Sequence, residues 1–326
     1  MSKDLARDLM AGQRRALAQA ITLIESSRRD HRLEAETLLS NVLPRTGGAV
    51  RLGISGVPGV GKSTFIESFG LFLIEAGKKV AVLAVDPSSR RSGGSILGDK
   101  TRMEELTRRE EAFIRPSPAG ESLGGVARRT REALLLCEAA GYDVVIVETV
   151  GVGQSETAVA DMVDLFLLLL LPSGGDELQG IKRGIVELAD LVVVNKADGA
   201  LVEAARRAAA EYQSALRMLR PVTHDWQVPV LLCSALEGRG LEEVWARIGQ
   251  YRALQQDNGS WQEKRQNQAS AWLWREVEES LLSALHHHPR VAEEIAGMEA
   301  AVRDGGLTPS AAARRLLAAF GIESQG

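Results

Sequence analysis

The spacing of hydrophobic residues divides the chain into three parts. Residues 1–47 carry apolar side chains at helical spacing, for example at Leu5 and Leu9. Short apolar runs of strand length, separated mostly by segments long enough for helices, occupy residues 48–252, and residues 253–326 return to helical spacing. The pattern predicts an N-terminal helical extension, a central α/β domain and a C-terminal helical region.

The central part predicts a doubly wound, mainly parallel β-sheet. Strands that alternate with helices pair in parallel, and the helices then cover both faces of the sheet. The longest apolar run, Leu165–Leu171, is far shorter than a membrane span of roughly 20 residues, and it predicts a strand buried on both faces. The predicted strands are Ala49–Ser55, Val80–Val85, Val144–Val147, Leu165–Leu171, Leu191–Val194 and Val228–Cys233, with a short additional run at Ala112–Ile114.

The composition favours a globular protein of the cytoplasm. The chain of 326 residues has 39 Lys+Arg, 43 Asp+Glu and a net charge of −4, so we expect it to bind neither nucleic acid nor an anionic membrane. Its two cysteines, Cys137 and Cys233, follow apolar runs and predict buried thiols without a disulfide. The N-terminus lacks the apolar segment of a secretory signal peptide. These features predict a reducing, cytoplasmic environment.

A phosphate-binding loop is predicted between the first strand and the helix that follows it. The segment GVPGVGKS fits the pattern G-x-x-x-x-G-K-[ST] without a mismatch. Backbone N–H groups of the turn and the helix N-terminus would bind phosphate oxygens, Lys62 would contact the β and γ phosphates, and the Ser63 hydroxyl would ligate Mg²⁺. The alternative is an ordinary glycine turn. The predicted phosphate-binding residues are Gly56, Val57, Pro58, Gly59, Val60, Gly61, Lys62, Ser63 and Thr64.

The nucleotide base is predicted to be guanine, because the strand Leu191–Val194 ends in an N-K-x-D sequence. The Asp198 carboxylate can accept hydrogen bonds from the guanine N1–H and amine, a donor pair that adenine lacks, so GTP is favoured over ATP. Asn195 can bridge the base and the phosphate loop, and the Lys196 methylenes can lie over the ring. The alternative is that Asn195 and Asp198 only cap the following helix.

The last predicted strand leads into a second base-binding segment. Ser234, Ala235 and Leu236 follow it directly. A turn of this composition commonly offers a backbone N–H to guanine O6. Like the phosphate loop and the N-K-x-D sequence, this turn follows the end of a predicted strand, and this shared position strengthens the prediction of a GTP site.

Two acids at the carboxyl ends of strands are candidates for the metal site. Asp86 follows Val80–Val85, and Glu148 follows Val144–Val147. Open α/β sheets bind ligands at this edge, and Mg²⁺ takes carboxylate and phosphate oxygens. Glu148 therefore occupies the Walker-B position, and Asp86 would ligate the metal or position water.

Two loops are candidate switches. The segment 90–100 is rich in Gly and Ser and could be ordered by a γ-phosphate. The segment 172–182 follows the leucine strand and contains three glycines. The segment 172–182 could carry a charged residue into the site or relay the nucleotide state to a partner, and the alternative for 90–100 is an ordinary surface loop. Neither segment provides an evident arginine finger, although Arg90 and Arg91 are candidates.

The combined motifs resemble one protein family. GVPGVGKST, AVDPSSRRSGGSILGDKTRM, ETVGVGQSE, LLLPSGGDELQGIKRG and VVNKAD are similar to the methylmalonyl-CoA mutase-associated GTPase chaperones of the MeaB, MMAA and ArgK type, a metallochaperone branch of P-loop GTPases. The similarity runs through most of residues 48–240. It implies a cytosolic homodimeric GTPase that binds an adenosylcobalamin-dependent acyl-CoA mutase, gates loading of the cobalamin cofactor and protects the enzyme.

The resemblance also implies roles for individual residues. Asp86, Asp99 and Glu148 would surround Mg²⁺ and its waters, with Ser63 as a further ligand. Lys182 would take part in hydrolysis stimulated by the partner, so the implied catalytic residues are Lys62, Asp86 and Lys182. Residues 253–326 resemble the dimerisation arm of the family, and Trp261, Trp272 and Trp274 predict packing either in a local core or at that dimer interface.

Three other functions are compatible with parts of the sequence. A nickel-type metallochaperone has a related core and usually carries Cys or His ligands near its switches, whereas the histidines here, His286, His287 and His288, lie in the C-terminal region. A kinase of a transport protein would seldom need a guanine motif. A nucleotide-dependent scaffold would bind GTP without useful hydrolysis.

Overall fold

A seven-stranded parallel β-sheet forms the centre of the protein. The computed structural model describes residues 2–26, 28–85, 103–116, 123–149, 155–172, 183–218 and 225–322. Every strand pair in the sheet is parallel, and the order is β3-β2-β4-β1-β5-β6-β7. The predicted doubly wound α/β fold is confirmed. The strands are β1 Val50–Gly56, β2 Val80–Val85, β3 Ala112–Arg115, β4 Val144–Thr149, β5 Leu165–Leu170, β6 Leu191–Val194 and β7 Val230–Leu232.

Helices precede, connect and follow the strands. In the part of the chain that the structure describes, they are α1 Ser2–Met10, α2 Arg14–Glu25, α3 Arg29–Val42, α4 Lys62–Glu75, α5 Glu104–Arg108, α6 Leu123–Ala139, α7 Ser155–Ala160, α8 Arg183–Glu187, α9 Val202–Met218, α10 Leu241–Asp257, α11 Ser260–His287, α12 Pro289–Arg303 and α13 Pro309–Phe320, with short 3₁₀ turns at Leu43–Arg45 and Gly199–Leu201.

The central strands are buried on both faces, as their continuous apolar sequences predict. Every residue of β2, β4, β5 and β6 is buried. The leucine run at Leu165–Leu170 is therefore an interior strand of the sheet. No helix in the described ranges has the length and apolar character needed to cross a bilayer.

Two compact units make up the chain, residues 1–265 and residues 266–326. The first unit contains the sheet and the N-terminal helices, in which α1 packs on α3 and α2 packs on α6. The second contains most of α11 together with α12 and α13, and α12 packs on α13. The division of the chain near residues 47 and 252 stays a prediction.

The amino end of β1 is held by buried charges. Arg51 donates to both carboxylate oxygens of Glu138 on α6, at 2.9 and 3.0 Å. The Asp164 carboxylate accepts from the Arg51 backbone N–H at 2.8 Å and from two nitrogens of the Arg265 guanidinium at 2.7 Å each. Arg265 also donates to the Ala49 carbonyl at 2.7 Å. These bonds fix the start of the strand whose other end carries the phosphate loop.

Candidate nucleotide site

Next to β1 the strand order of the sheet reverses, which makes the carboxyl end of β1 a topological switch point. The strands β2, β3 and β4 lie on one side of β1, and β5, β6 and β7 lie on the other. Ligands of open α/β sheets bind in the crevice at such a switch point. The register pairs Ile54 of β1 with Glu148 of β4, and Glu148 in turn with Ala84 of β2. The Walker-B candidate is therefore next to the strand that enters the phosphate loop.

The loop between β1 and α4 depends on glycines at three positions. Gly59 and Gly61 have positive φ angles of 82° and 89°, which side chains with a Cβ rarely adopt. A Cβ on Gly56 would lie 2.6 Å from the Leu169 carbonyl oxygen, so only glycine fits there. Helix α4 begins at Lys62 directly after the loop. The loop backbone and the helix N-terminus thus form the arrangement that binds phosphate in P-loop proteins.

Lys62, the first residue of α4, is partly buried next to this loop. Its Nζ donates to the Gly56 carbonyl oxygen at 2.7 Å. Burial lowers the pKa of Lys62, and the negative charges of Glu148 and Glu156 offset part of that effect. Glu156, on α7, is 1% exposed. Its proximity to Lys62 was not predicted, although it ends the motif ETVGVGQSE.

The described metal candidates suit a hard cation. Ser63 supplies a hydroxyl at the start of α4, and Glu148 supplies a carboxylate that is 5% exposed. Oxygen donors of these kinds are the ligands that Mg²⁺ prefers. Because Glu148 raises the pKa of Lys62, its carboxylate lies in the electrostatic range of the phosphate loop. These residues therefore fit a magnesium site.

A buried hydroxyl pair joins the strand ends beneath the metal candidates. Thr149 Oγ1 donates to Ser55 Oγ at 2.8 Å, and both residues have 0% exposure. This bond ties the ends of β1 and β4 together. No sequence motif predicted it.

Asn195 connects three segments of the site. Its Nδ2 donates to the Val60 carbonyl oxygen at 2.9 Å, and its Oδ1 accepts from the Ala235 N–H at 3.1 Å. The side chain is 2% exposed, so both bonds are shielded from water. Asn195 therefore sets the spacing between the phosphate loop, the end of β6 and the turn after β7.

Lys196 and Asp198 also face neighbouring segments. Lys196 has a positive φ of 59°, and its Nζ donates to the Gly59 carbonyl oxygen at 2.7 Å. Asp198 precedes the 3₁₀ turn Gly199–Leu201 but makes no capping bond with its side chain. Its Oδ2 accepts instead from Ser234 Oγ at 2.5 Å. This arrangement differs from the helix cap that was the alternative.

The turn after β7 is fixed on both sides of one residue. Ser234 and Arg239 exchange backbone hydrogen bonds of 3.0 and 3.1 Å, which close the turn. The Ala235 carbonyl accepts from Ser68 Oγ of α4 at 2.6 Å. Because Asn195 already engages the Ala235 N–H, guanine O6 would share that donor or accept from the N–H of Leu236. Ser68 carried no sequence signal of this role.

The structure brings most of the sequence-predicted residues to one edge of the sheet. The phosphate loop, the N-K-x-D residues and the turn 234–236 follow the carboxyl ends of β1, β6 and β7, and Glu148 is the next-to-last residue of β4. Asp86, Asp99 and Lys182 lie outside the described residues. Both candidate switches, 90–100 and all but Pro172 of 172–182, lie outside them too.

Comparisons with known proteins agree with this arrangement. The family described as "Methylmalonyl Co-A mutase-associated GTPase MeaB" matches residues 17–290. A Caulobacter vibrioides protein whose name contains the word GTPase is 59% identical, with coverage of 98% of this chain and 97% of the relative. The mouse mitochondrial methylmalonic aciduria type A homolog is 52% identical over 96% of this chain and 78% of its own. A crystal structure named LAO/AO transport system kinase has a TM-score of 0.78 and 43% identity, and the similarity covers 98% of both chains.

Proposed function

This chain belongs to the family of methylmalonyl-CoA mutase-associated GTPases, and we propose that it is a GTP-hydrolysing chaperone of an adenosylcobalamin-dependent acyl-CoA mutase. The partner would be of the methylmalonyl-CoA mutase type. The protein would gate the loading of adenosylcobalamin and protect or reactivate the mutase. The observation that carries this proposal is the family match over residues 17–290, which includes every segment of the nucleotide site.

Phosphate binding would use the loop and Lys62. The loop backbone and the first turn of α4 offer N–H groups to the phosphate oxygens. The Lys62 ammonium, which contacts the Gly56 carbonyl at 2.7 Å, would exchange that contact for the β and γ phosphates. The partial burial of Lys62 strengthens this exchange, because a charge shielded from water interacts more strongly with an anion.

Guanine recognition would depend on Asp198. One of its carboxylate oxygens already accepts from Ser234, and this bond orients the group toward the base N1–H and amine. Asn195 accepts from the N–H of the peptide before Ala235 at 3.1 Å, and Ser68 donates to the carbonyl of the peptide after it at 2.6 Å. A base site with such fixed partners rejects adenine, because the carboxylate acceptors of the site would remain unpaired when adenine is bound.

Magnesium would be held by Ser63 and Glu148, together with Asp86 and Asp99. When bound, the ion neutralises charge that develops on the β and γ phosphates. Glu148 and Glu156 keep a negative field near Lys62, which favours the charged form of the lysine. Asp86 would position the attacking water.

Partner docking would complete the catalytic site. Intrinsic hydrolysis is proposed to be slow, and the mutase would supply or organise a missing cation, with Lys182 of this chain taking part. Completion of a GTPase site by a partner can increase the rate by about 10³–10⁵. Nucleotide state and mutase state would be coupled in this way.

A homodimer through the C-terminal helices is supported by an exposed apolar face. Leu273, Trp274, Leu281 and Leu282 on α11 are 61%, 63%, 53% and 58% exposed. At about 100° per residue they cover roughly half of the helix circumference, with Trp274 and Leu281 near the middle of that face. A second copy of the chain would cover this face, since exposed aromatic and leucine side chains are typical of interfaces.

The cytoplasm is the proposed location, and the two buried, unpaired cysteines suit it.

The decisive experiment measures GTP turnover with and without a purified adenosylcobalamin-dependent methylmalonyl-CoA mutase. We expect slow turnover alone and a large increase at saturating mutase. Lys62→Ala should remove turnover in both conditions, whereas Lys182→Ala should remove mainly the stimulation. Unchanged turnover at saturating mutase, together with no co-elution in the GTP or GDP state, would overturn the proposed partner and leave the GTPase activity standing.

A further inference from the structure

A cavity lies apart from the nucleotide site, at the outer edge of the sheet. It has a volume of about 480 Å³ and separates the end of the edge strand β3 from the start of α2. None of its lining residues belongs to the nucleotide site described above. They include Arg14, Arg15, Phe113, Ile114, Arg115 and Pro116.

Three guanidinium groups line this cavity, and among the described residues only Arg115 has a carboxylate partner. Arg115 binds Glu25 through two hydrogen bonds, one of them from Nε at 3.2 Å. Arg14 makes one long bond, 3.4 Å, to the Arg109 carbonyl oxygen. Arg15 makes no hydrogen bond or ion pair to another described residue. Two positive charges are therefore not neutralised within the described part of the chain.

The position of these charges is unfavourable for the helix itself. Arg14 and Arg15 open α2, whose first turn has no acidic residue and whose N-cap, Gln13, makes no side-chain cap. Cations at a helix N-terminus oppose the helix dipole, whereas an anion there is stabilised by it. An anion in the cavity would interact favourably with the helix dipole and with the charges of Arg14 and Arg15.

The rest of the cavity wall is apolar. Phe113 and Ile114 are 5% and 8% exposed, and Pro116 follows at the end of β3. A wall of this kind contacts the body of a ligand rather than its charge. The volume falls within the range of about 300–1,000 Å³ that is typical of small-molecule sites.

We propose that this cavity binds a small organic anion, with a phosphate or carboxylate group on an apolar or planar body. Arg14 and Arg15 bind the anionic group, and Arg115 stays oriented by Glu25 at the rim. Phe113 and Pro116 contact the body of the ligand. The proposed site does not depend on GTP binding or on the mutase. It would therefore stand even if the proposed GTP binding or the proposed mutase partner were disproved.

The test uses the full chain saturated with GDP and Mg²⁺, so that phosphate groups cannot enter the nucleotide site. Ligand-observed NMR measures the affinity of phenyl phosphate and, separately, of benzoate. We expect saturable binding of at least one probe. Arg14→Gln and Arg15→Gln should each weaken that binding about tenfold, as expected for a lost charge-assisted hydrogen bond. Arg32→Gln, at an exposed arginine of α3, should leave it unchanged.

Two further measurements keep the test decisive. Inorganic phosphate should displace phenyl phosphate only at higher concentration, because it lacks the apolar body. Intrinsic GTP turnover should be unchanged in Arg14→Gln and Arg15→Gln, which shows that both variants fold. The proposal is overturned if neither probe binds, if binding is equal in the wild type and both variants, or if inorganic phosphate competes as well as phenyl phosphate.

Discussion

Ser68 lies outside the recognised motifs but contacts the turn that is predicted to bind the guanine base. Its hydroxyl donates to the Ala235 carbonyl at 2.6 Å while Asn195 accepts from the N–H of the same residue. The peptide group that follows Ala235 is thereby oriented, and its N–H is a candidate donor to guanine O6. Loss of the Ser68 bond should let this peptide group rotate.

We therefore predict that Ser68→Ala weakens GDP binding by about fivefold, the equivalent of about 1 kcal/mol for one hydrogen bond. The loss should be much smaller for the diphosphate of 2-aminopurine riboside, which lacks O6. Displacement of a fluorescent nucleotide measures both affinities. Ser68→Thr, which keeps the hydroxyl, is the matched control. An equal loss for the two nucleotides would assign Ser68 a purely structural role.

The charge state of Lys62 predicts a pH dependence. Burial lowers its pKa below the ordinary value of 10.5, so the free enzyme should lose the lysine proton at a lower pH than a free lysine does. We therefore expect the alkaline decline of kcat/KM for GTP to be centred at a pH below 10.5. Bound phosphates favour the charged ammonium, so the alkaline decline of kcat should occur at a higher pH. Steady-state profiles from pH ~7 upward measure both, and coincident declines would contradict the expectation.

At the residue scale, the sequence predicts side chains whose chemistry imposes a fixed spacing. Asn195 and Asp198 were identifiable because guanine requires an amide and a carboxylate near a phosphate loop. Ser68 and Glu156 were not, because a serine on a helix and an acid after a loop have no characteristic spacing. The positive φ of Lys196 was equally hidden, since lysine rarely adopts it.

At the scale of elements, β1 depends on a buried ion pair. The side chains of Arg51 and Glu138 are 6% and 0% exposed. Glu138 also accepts from the Gly47 N–H at 2.8 Å. Removal of one partner from such a pair leaves a charge buried without compensation.

We predict that Glu138→Gln lowers the free energy of unfolding by about 3–5 kcal/mol. Chemical denaturation followed by circular dichroism gives the value. The double variant Arg51→Met with Glu138→Met should recover part of the loss, since neither charge of this pair is then buried without its partner. A single variant as stable as the wild type would show that water reaches Arg51.

The strands were predictable because each is a short apolar run between turn-forming residues, and their observed ends differ from the predicted ones by at most two residues.

The tertiary contacts of α11 were not predictable. Trp261 is 8% exposed and packs in the core of the first unit, beneath the guanidinium of Arg265 at 5.1 Å. Trp274 on the same helix is 63% exposed. Residue type alone could not separate these two positions, because their difference arises from what each one contacts.

At the scale of the whole molecule, the exposed face of α11 predicts the oligomeric state. Trp274→Glu would place a charge in the proposed dimer interface, and we expect it to convert a dimer into a monomer. Size-exclusion chromatography with light scattering measures the mass. Ser283→Glu introduces the same charge on the opposite side of α11 and should leave the dimer intact. A wild-type protein that elutes as a monomer at micromolar concentration would contradict the prediction.

The bonds between Asp164 and the start of α11 have a practical consequence for dissecting the protein. The turn at Asn258 and Gly259 looks like a natural place to cut away the C-terminal helices, since α10 ends there. A fragment that stops at this turn would lose Arg265, the cation that binds the 1%-exposed Asp164. Such a fragment should be poorly soluble or unstable, whereas one extended through Arg265 should retain a working GTPase core.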